Sequence, residues 1–437
     1  MKLSVIVGVR SRLAVRLRSR RAIRLRSRLP LPLRFMALGL AILSGNLSAQ
    51  YRAPDAAPDL IRLIRSEKLD TVLPHVMRDN GIDMWIHAMG PDDPLGFELG
   101  AEPGFVIFTD RDGGRIERAA FGGRRDSALF DVMGGVDEIA AFVAERDPVL
   151  IALNYSDIPE LDTIPDAQFA LIAEAFDEDL GERIVSADRL IADFLAGRAM
   201  AEIALYGRLL MDNTAIIEEQ FDSIVPGETA LSGLSGDVYV GNPDINEEHN
   251  SDYGIQRGDL VGIFHGAQMM DFAQHNGFYG YVLRDGETEL PPEIIRLWDQ
   301  AMELRDIFRR NITAGLTGEE NLDAVVARIE EAGYVHIEEN RYDAAADSDA
   351  TQVWIDFHAQ GHLVSEEHAP RISATGWGRT LTIPLYHTFA LAYAIHMPVP
   401  AWGEDERLYL FMHDGATVTE RGVEFPAPLP QQIRAIR

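Results

Sequence analysis

The chain changes character at residue 50, and that break decides which part of it can fold. Residues 1–49 contain Lys2 and ten arginines and no acidic residue. An apolar run, Phe35 to Leu43, follows the basic stretch, and SGNLSA closes at Ala49 before Gln50. A positive segment, a short apolar core and a small-residue exit are the parts of a secretory signal peptide. The run is too short to span a bilayer, which takes about 20 residues. Residues 1–49 are therefore expected to be a signal peptide with an Arg-rich n-region, directing export to the periplasm or the exterior. Translation from near Met36 would give the same mature chain.

The body is strongly acidic. Of the 40 lysines and arginines, 11 lie before residue 50, so the remaining 29 face 69 acidic residues, a formal −40 over 50–437. Such a charge repels phosphate backbones, which argues against a nucleic-acid partner. The absence of cysteine excludes a disulfide framework, a thiolate metal site and a Cys nucleophile. No further apolar run reaches spanning length, so no stable membrane span is expected.

Residues 58–190 alternate helix and strand signals, the mark of an α/β domain. Residues 69–81 have helical spacing ending at Gly81, and 83–88 read as a strand. Residues 105–121 read as a hairpin around Asp110–Gly114, 136–147 as an amphipathic helix and 148–155 as a buried strand. No G-x-G-x-x-G follows a strand, so a dinucleotide fingerprint is absent. His75 and His87 stand alone and read as core or surface histidines. A continuous helical pattern from Ser186 to about Gln220 joins this half to 191–437, a mixed region of helices and antiparallel strands. Ile224–Thr229 and Ile312–Thr317 both fit I-x-x-G-x-T, with Gly227 and Gly315 88 residues apart. Each copy is expected to follow one long helix and precede another, as in a duplicated half-domain. Residues 236–254 read as a solvated loop that includes Glu247, Glu248 and His249. Trp354, Trp377 and Trp402 read as packing or cleft walls, Pro398–Trp402 as a strand exit, and the tail from Pro426 as loosely packed or extended.

Three segments together carry a resemblance. GDLVGIFHGAQMMDFAQHNGFYGYVLRDGE (258–287), TFALAYAIHMPVPAW (388–402) and LYLFMHDGATVTERGVEF (408–425) agree in order and spacing with the strands of one family. With the paired I-x-x-G-x-T element, the chain resembles the pita-bread metallopeptidases, closest to the two-domain Xaa-Pro aminopeptidases and creatinases. The resemblance implies an α+β architecture. A creatinase-like N-terminal α/β domain over 50–190 precedes a pita-bread domain over 191–437, with a pseudo-duplicated antiparallel sheet and helices.

Active members of that family hold two divalent ions with Asp, Asp, His, Glu and Glu. Carboxylates suit the task because they are hard, anionic and able to bridge. The family register puts these ligands at Phe264, His275, His358, Ala392 and His413, which keeps one of the five. A further family histidine falls at Ser365, near His362 and His368, and Asp271 and Asp414 lie next to lost ligands. The resemblance thus implies an exported relative without dinuclear chemistry, holding a peptide or protein in the ancestral cleft, with no metal cofactor and with the family's tendency to form a homodimer. The alternative is a hydrolase with a single Zn or Mn ion on His275, His358 and His413, three imidazoles being the ligand count of a catalytic zinc site. Metal-free acid–base chemistry of the creatinase kind would draw on His358, His362, His368 and Glu366 or Glu367.

Overall fold

A computed structural model describes residues 57–437 except 92, 94, 102, 112, 124–125, 159–161, 242–251, 270–271, 347–348, 363–368 and 404–405. The expected signal peptide, Glu247, Glu248, His249, Asp271, Ser365, Glu366, Glu367 and His368 lie outside the described residues. Among the described residues no helix is long and apolar enough to cross a membrane.

The N-terminal unit is a mixed six-stranded sheet between helices. In chain order it contains α1 (Ala57–Thr71), α2 (Leu73–Asp79), β1 (Met84–Met89), α3 (Gly96–Leu99), β2 (Gly104–Thr109), β3 (Glu117–Phe121), β4 (Val132–Gly134), α4 (Ile139–Arg146), β5 (Ile151–Leu153), α5 (Asp166–Ala175), α6 (Glu178–Glu182), β6 (Ile184–Ser186) and α7 (Asp188–Ala196). The strand order is β4-β3-β2-β1-β5-β6. All six residues of β1 are buried, as a strand covered on both faces requires. Trp85 and Phe108 pack with Leu73, Met77 and Phe194 on one side. Met84, Ile86 and Ile107 pack with Ile139, Phe142 and Val143 on the other.

The expected hairpin is present, with β2 and β3 antiparallel. The expected strand over 148–155 is shorter. The Asp83 carboxylate takes the amides of Val149 and Leu150, and the Asn154 side chain pairs with both peptide groups of Ala88. Only Ile151–Leu153 is left to the ladder.

The continuous helix from Ser186 to Gln220 is two helices, α7 and α8 (Met200–Ser223). Gly197 is extended and closes α7. A Cβ there would meet Val72 Cγ1 at 2.5 Å. Glu202 then accepts the Ala199 N–H at 2.7 Å and opens α8.

The C-terminal region is built twice. The first half is α8 against β7 (Asp237–Gly241), β8 (Leu260–Met269) and β9 (Phe272–Val282). The second sets α9 (Pro292–Asn311) and α10 (Gly318–Glu331) against β10 (Val335–Ile337), β11 (Gln352–Ala359), β14 (Thr388–Pro398), β15 (Arg407–Thr419) and β16 (Gly422–Glu424). The short strands β12 (Gly361–His362) and β17 (Arg434–Ile436) both pair with β9, and β13 (Ile372–Ser373) pairs with β11. The tail is thus not loose: Ile436 is buried and β17 lies parallel to β9.

The I-x-x-G-x-T copies are structural equivalents. Ile224 and Ile312 close α8 and α9. Gly227 and Gly315 follow at φ 82° and 88°. Their amides donate to Ile255 O at 2.7 Å and Ile383 O at 2.8 Å. The copies diverge at the threonine. Thr317 forms a reciprocal cap with Glu320 and starts α10. Thr229 has Ser232 at the same offset and is followed by one short turn, Leu231–Gly233, so the second expected helix is absent there.

Candidate functional site

Strand alternation decides which side chains share the cleft. In the first sheet, Asp237, Phe264 and Gly277 lie in one row across β7, β8 and β9, and Tyr239, Gly262 and Tyr279 in the next. His275 lies opposite Gly266 on the same face. In the second sheet, Ala392 pairs with His413, Ala394 with Phe411, and His396 with Tyr409. Trp354 and His358 lie opposite Ala394 and Ala390. The segment 236–254, read as a loop, therefore begins with a strand. Its alternation in Asp237-Val-Tyr239-Val was the available signal, obscured by the polar run after it.

The two faces meet through β9 and β15. The Tyr279 hydroxyl donates to Phe411 O at 2.8 Å and accepts from Phe411 N–H at 3.0 Å, so one phenol closes both peptide groups. The Phe264 ring is buried and lies against Gly277, where a Cβ would sit 2.0 Å from its Cδ1. Phe264 stacks on His275 at 6.2 Å and 17°, and meets Tyr239 and Tyr279 edge-on at 5.4 and 5.8 Å. Gly277 was not legible as part of the site, because its role depends on a ring from the neighbouring strand.

His275, His358 and His413, which the resemblance assigns to ligand positions, are adjacent. His275 and His413 meet at 4.9 Å and 88°, and His358 and His413 at 5.4 Å and 52°. His413 Nδ1 faces His275 O at 3.2 Å, and His358 Nδ1 faces Asp356 O at 3.1 Å. With the His413 ring neutral, its carbonyl partner selects the Nδ1–H tautomer. Burial lowers the His275 imidazole to about 4, helped by the neighbouring His265 and His358. Burial also holds His413 well below its ordinary value, reinforced by His275 and His358. Burial pushes the Asp356 carboxyl up, but hydrogen bonds from His358 and Arg371 outweigh it and hold it well below the usual range. Arg371 Nε donates to Asp356 Oδ1 at 2.5 Å.

Asp414 and His265 point away from His413 and Phe264. Asp414 pairs in register with Leu391, on the opposite face of β15 from His413, and forms a buried ion pair with Arg305 at 2.9 Å. It does not restore a cleft carboxylate, because a residue next to a ligand position on a strand points away from it. His265 likewise faces α8, with Nδ1 3.1 Å from Asn213 Oδ1. His362 lies on β12 in register with Phe272. Ala392 is fully buried opposite His413. Trp354 is 6.5 Å from Phe411, Trp402 packs against the second-half core, and Trp377 opens a short turn, Trp377–Thr380.

A dinuclear centre needs anionic oxygens that bridge two cations. Phe264 and Ala392 offer hydrocarbon, and the imidazoles of His275 and His413 pack edge against face. Among the described residues no group of three or more His, Asp or Glu side chains is arranged to hold a metal ion.

Two units, the second built twice from helices packed on sheets, match the pita-bread peptidase fold. It is shared with the X-Pro aminopeptidase from Thermotoga maritima MSB8, at TM-score 0.54 and 15% identity over 83% of this chain and 100% of that one. An Xaa-Pro dipeptidase from Bacillus anthracis aligns at TM-score 0.52 and 16% identity, over 87% and 99% of the two chains. The dipeptidase PepE from Mycobacterium ulcerans aligns at 0.52 and 15%, over 86% and 98%. These likenesses establish the fold. No protein-family model matches the chain, and no curated protein matches it.

Proposed function

We propose that this chain is an exported relative of the Xaa-Pro aminopeptidases that has given up the dinuclear reaction and holds a peptide or other small ligand in the cleft. The observation that carries this reading is Phe264. Its ring occupies the place the resemblance gives to the first aspartate, and it is packed there against Gly277, His275 and Tyr239. Without bridging carboxylates, two dications a few ångströms apart would repel each other with nothing to offset it. The imidazoles at the second and fifth positions, His275 and His413, are held uncharged by burial and packed on each other. They fill space that ions and carboxylates would otherwise take.

Metal analysis of the purified protein, with a His275→Ala, His358→Ala and His413→Ala series, tests this reading. The expected result is substoichiometric zinc and manganese, unchanged along the series, with no turnover of Xaa-Pro dipeptides. Stoichiometric metal that falls with each substitution would establish the three-histidine hydrolase instead. Export is checked by sequencing the amino terminus of the protein from the extracytoplasmic fraction, where cleavage after Ala49 is expected.

A further inference from the structure

The chain enters β14 through a turn, 384–387, that repeats the turn by which it enters β8, 256–259. In the first copy Gly258 N–H donates to Val282 O at 2.7 Å, Asp259 N–H to Gln256 O at 3.3 Å and Val282 N–H to Asp259 O at 2.9 Å. In the second copy Tyr386 N–H donates to Val418 O at 2.8 Å, His387 N–H to Pro384 O at 3.3 Å and Val418 N–H to His387 O at 2.9 Å. The backbone is left-handed at the same place in both, φ 96° at Gly258 and φ 66° at Tyr386.

The side chains at the matched positions have opposite character. The first half shows solvent Glu228 and Arg257 beside Gly258, and Asp285 pairs with Arg257 at 3.1 Å. The second half shows Leu316, Leu385 and Tyr386, exposed at 36%, 39% and 42%. The Leu316 carbonyl accepts the Ile383 N–H at 2.9 Å, which brings it to the turn. A left-handed turn position favours glycine, so a tyrosine there carries a backbone cost. Among the described residues the Tyr386 side chain has no hydrogen-bond or ring partner to offset it. Three large apolar side chains stand where the sister turn has two charges and a glycine, which marks a contact surface.

Size and charge select the occupant. Three side chains exposed to about two-fifths offer far less than the roughly 800 Å² per partner that a stable dimer buries. A second copy would also bring one formal −40 body against another, and an anionic bilayer would be repelled in the same way. At the border, Glu420 is exposed and has no partner among the described residues. The arginines nearby are engaged, Arg379 by Glu319 at 3.0 Å and Arg421 by Glu424. The complement of this surface is an apolar pocket bordered by Lys or Arg, since apolar anchors within a charged border dominate interface energies.

We infer that Leu316, Leu385 and Tyr386 form a docking knob for another protein, one that presents an apolar pocket bordered by basic side chains. The knob precedes β14 and is independent of what the cleft holds.

Photo-crosslinking of the full chain, in the cells that make it and in their extracts, tests this with p-benzoylphenylalanine placed singly at positions 316, 385, 228 and 257. The expected result is one protein adduct of the same mass from 316 and 385, and none from the matched positions 228 and 257. In extracts its yield should fall at least fivefold as ionic strength rises from about 0.05 to 0.5 M, as a charged border requires. Leu385→Arg, which gives the turn the charge its sister carries, should keep the urea midpoint of the purified protein and lose the adduct from 316. Should that variant fail to fold, Leu385→Ser is read in its place, with the same loss expected. An adduct of twice the chain's own mass would show a second copy, and an adduct with lipid would show a membrane. Either would overturn the inference. So would no adduct, equal adducts from 228 and 257, a yield indifferent to salt, or an adduct that survives in the folded variant.

Discussion

At the scale of single residues, three desolvated imidazoles set an acid limit. The unfolded chain protonates histidine near 6.5, whereas the folded chain holds His275 at about 4, His396 at about 4 and His387 at about 3. Between those values the unfolded state binds more protons, so stability is fully present above about pH 6.5 and falls as pH drops toward 4. The urea midpoint should decline steadily over that window, and His275→Gln should make the decline shallower. An identical pH profile in the variant would show that His275 is not one of the coupled groups. Arg305 poses a different test. It is buried with Asp414 and neutralises it, so Arg305→Met should cost about 3–5 kcal/mol in denaturant unfolding, the usual effect of stranding one member of a buried pair.

At the scale of elements, Phe264 and Gly277 act as one packing unit across β8 and β9. Gly277→Ala puts a Cβ into the Phe264 ring and should destabilise by about 1–3 kcal/mol, the range for overpacking. Phe264→Ala alone should cost about 3–5 kcal/mol through the cavity it leaves. The double variant should cost clearly less than the sum, and strict additivity would refute the contact. The duplicated turns allow a matched comparison. Nothing lies within 4 Å of a Cβ at Gly227 or Gly315, so alanine at either should cost only the left-handed backbone penalty, about 1–2 kcal/mol, and equally in both. These elements also show what sequence can and cannot convey. The β8–β9 and β14–β15 pairs were legible because their order and length are local properties. The break at Gly197 was not, because apolar periodicity runs through it and the space beside it is closed by Val72, far back in the chain. The shortened β5 was hidden for a similar reason, since side chains of Asp83 and Asn154 replace backbone pairing. In the site, the register conveyed that hydrocarbon stands at 264 and 392. It could not convey that Asp237 on β7 reaches His275 on β9, because that depends on the pairing of three strands.

At the scale of the whole molecule, the two units are joined by charge as well as by packing. Lys68 on α1 meets Glu98 on α3 at 2.7 Å and Glu202 on α8 at 3.5 Å, all three nearly inaccessible to solvent. Lys68→Met would leave two buried carboxylates facing each other, and a loss of about 3–5 kcal/mol is expected. Hydrogen exchange should show the release first at the start of α8, where Glu202 also caps the helix.

Strand β9 has one more consequence. One of its edges is covered by β12 at Gly361–His362 and by β17 at Arg434–Ile436, segments that come late in the chain. On a translating ribosome this hydrophobic strand emerges long before either of its covers exists. An uncovered edge is a template for unwanted pairing, so nascent chains halted before residue 434 should need a chaperone that the complete polypeptide can do without.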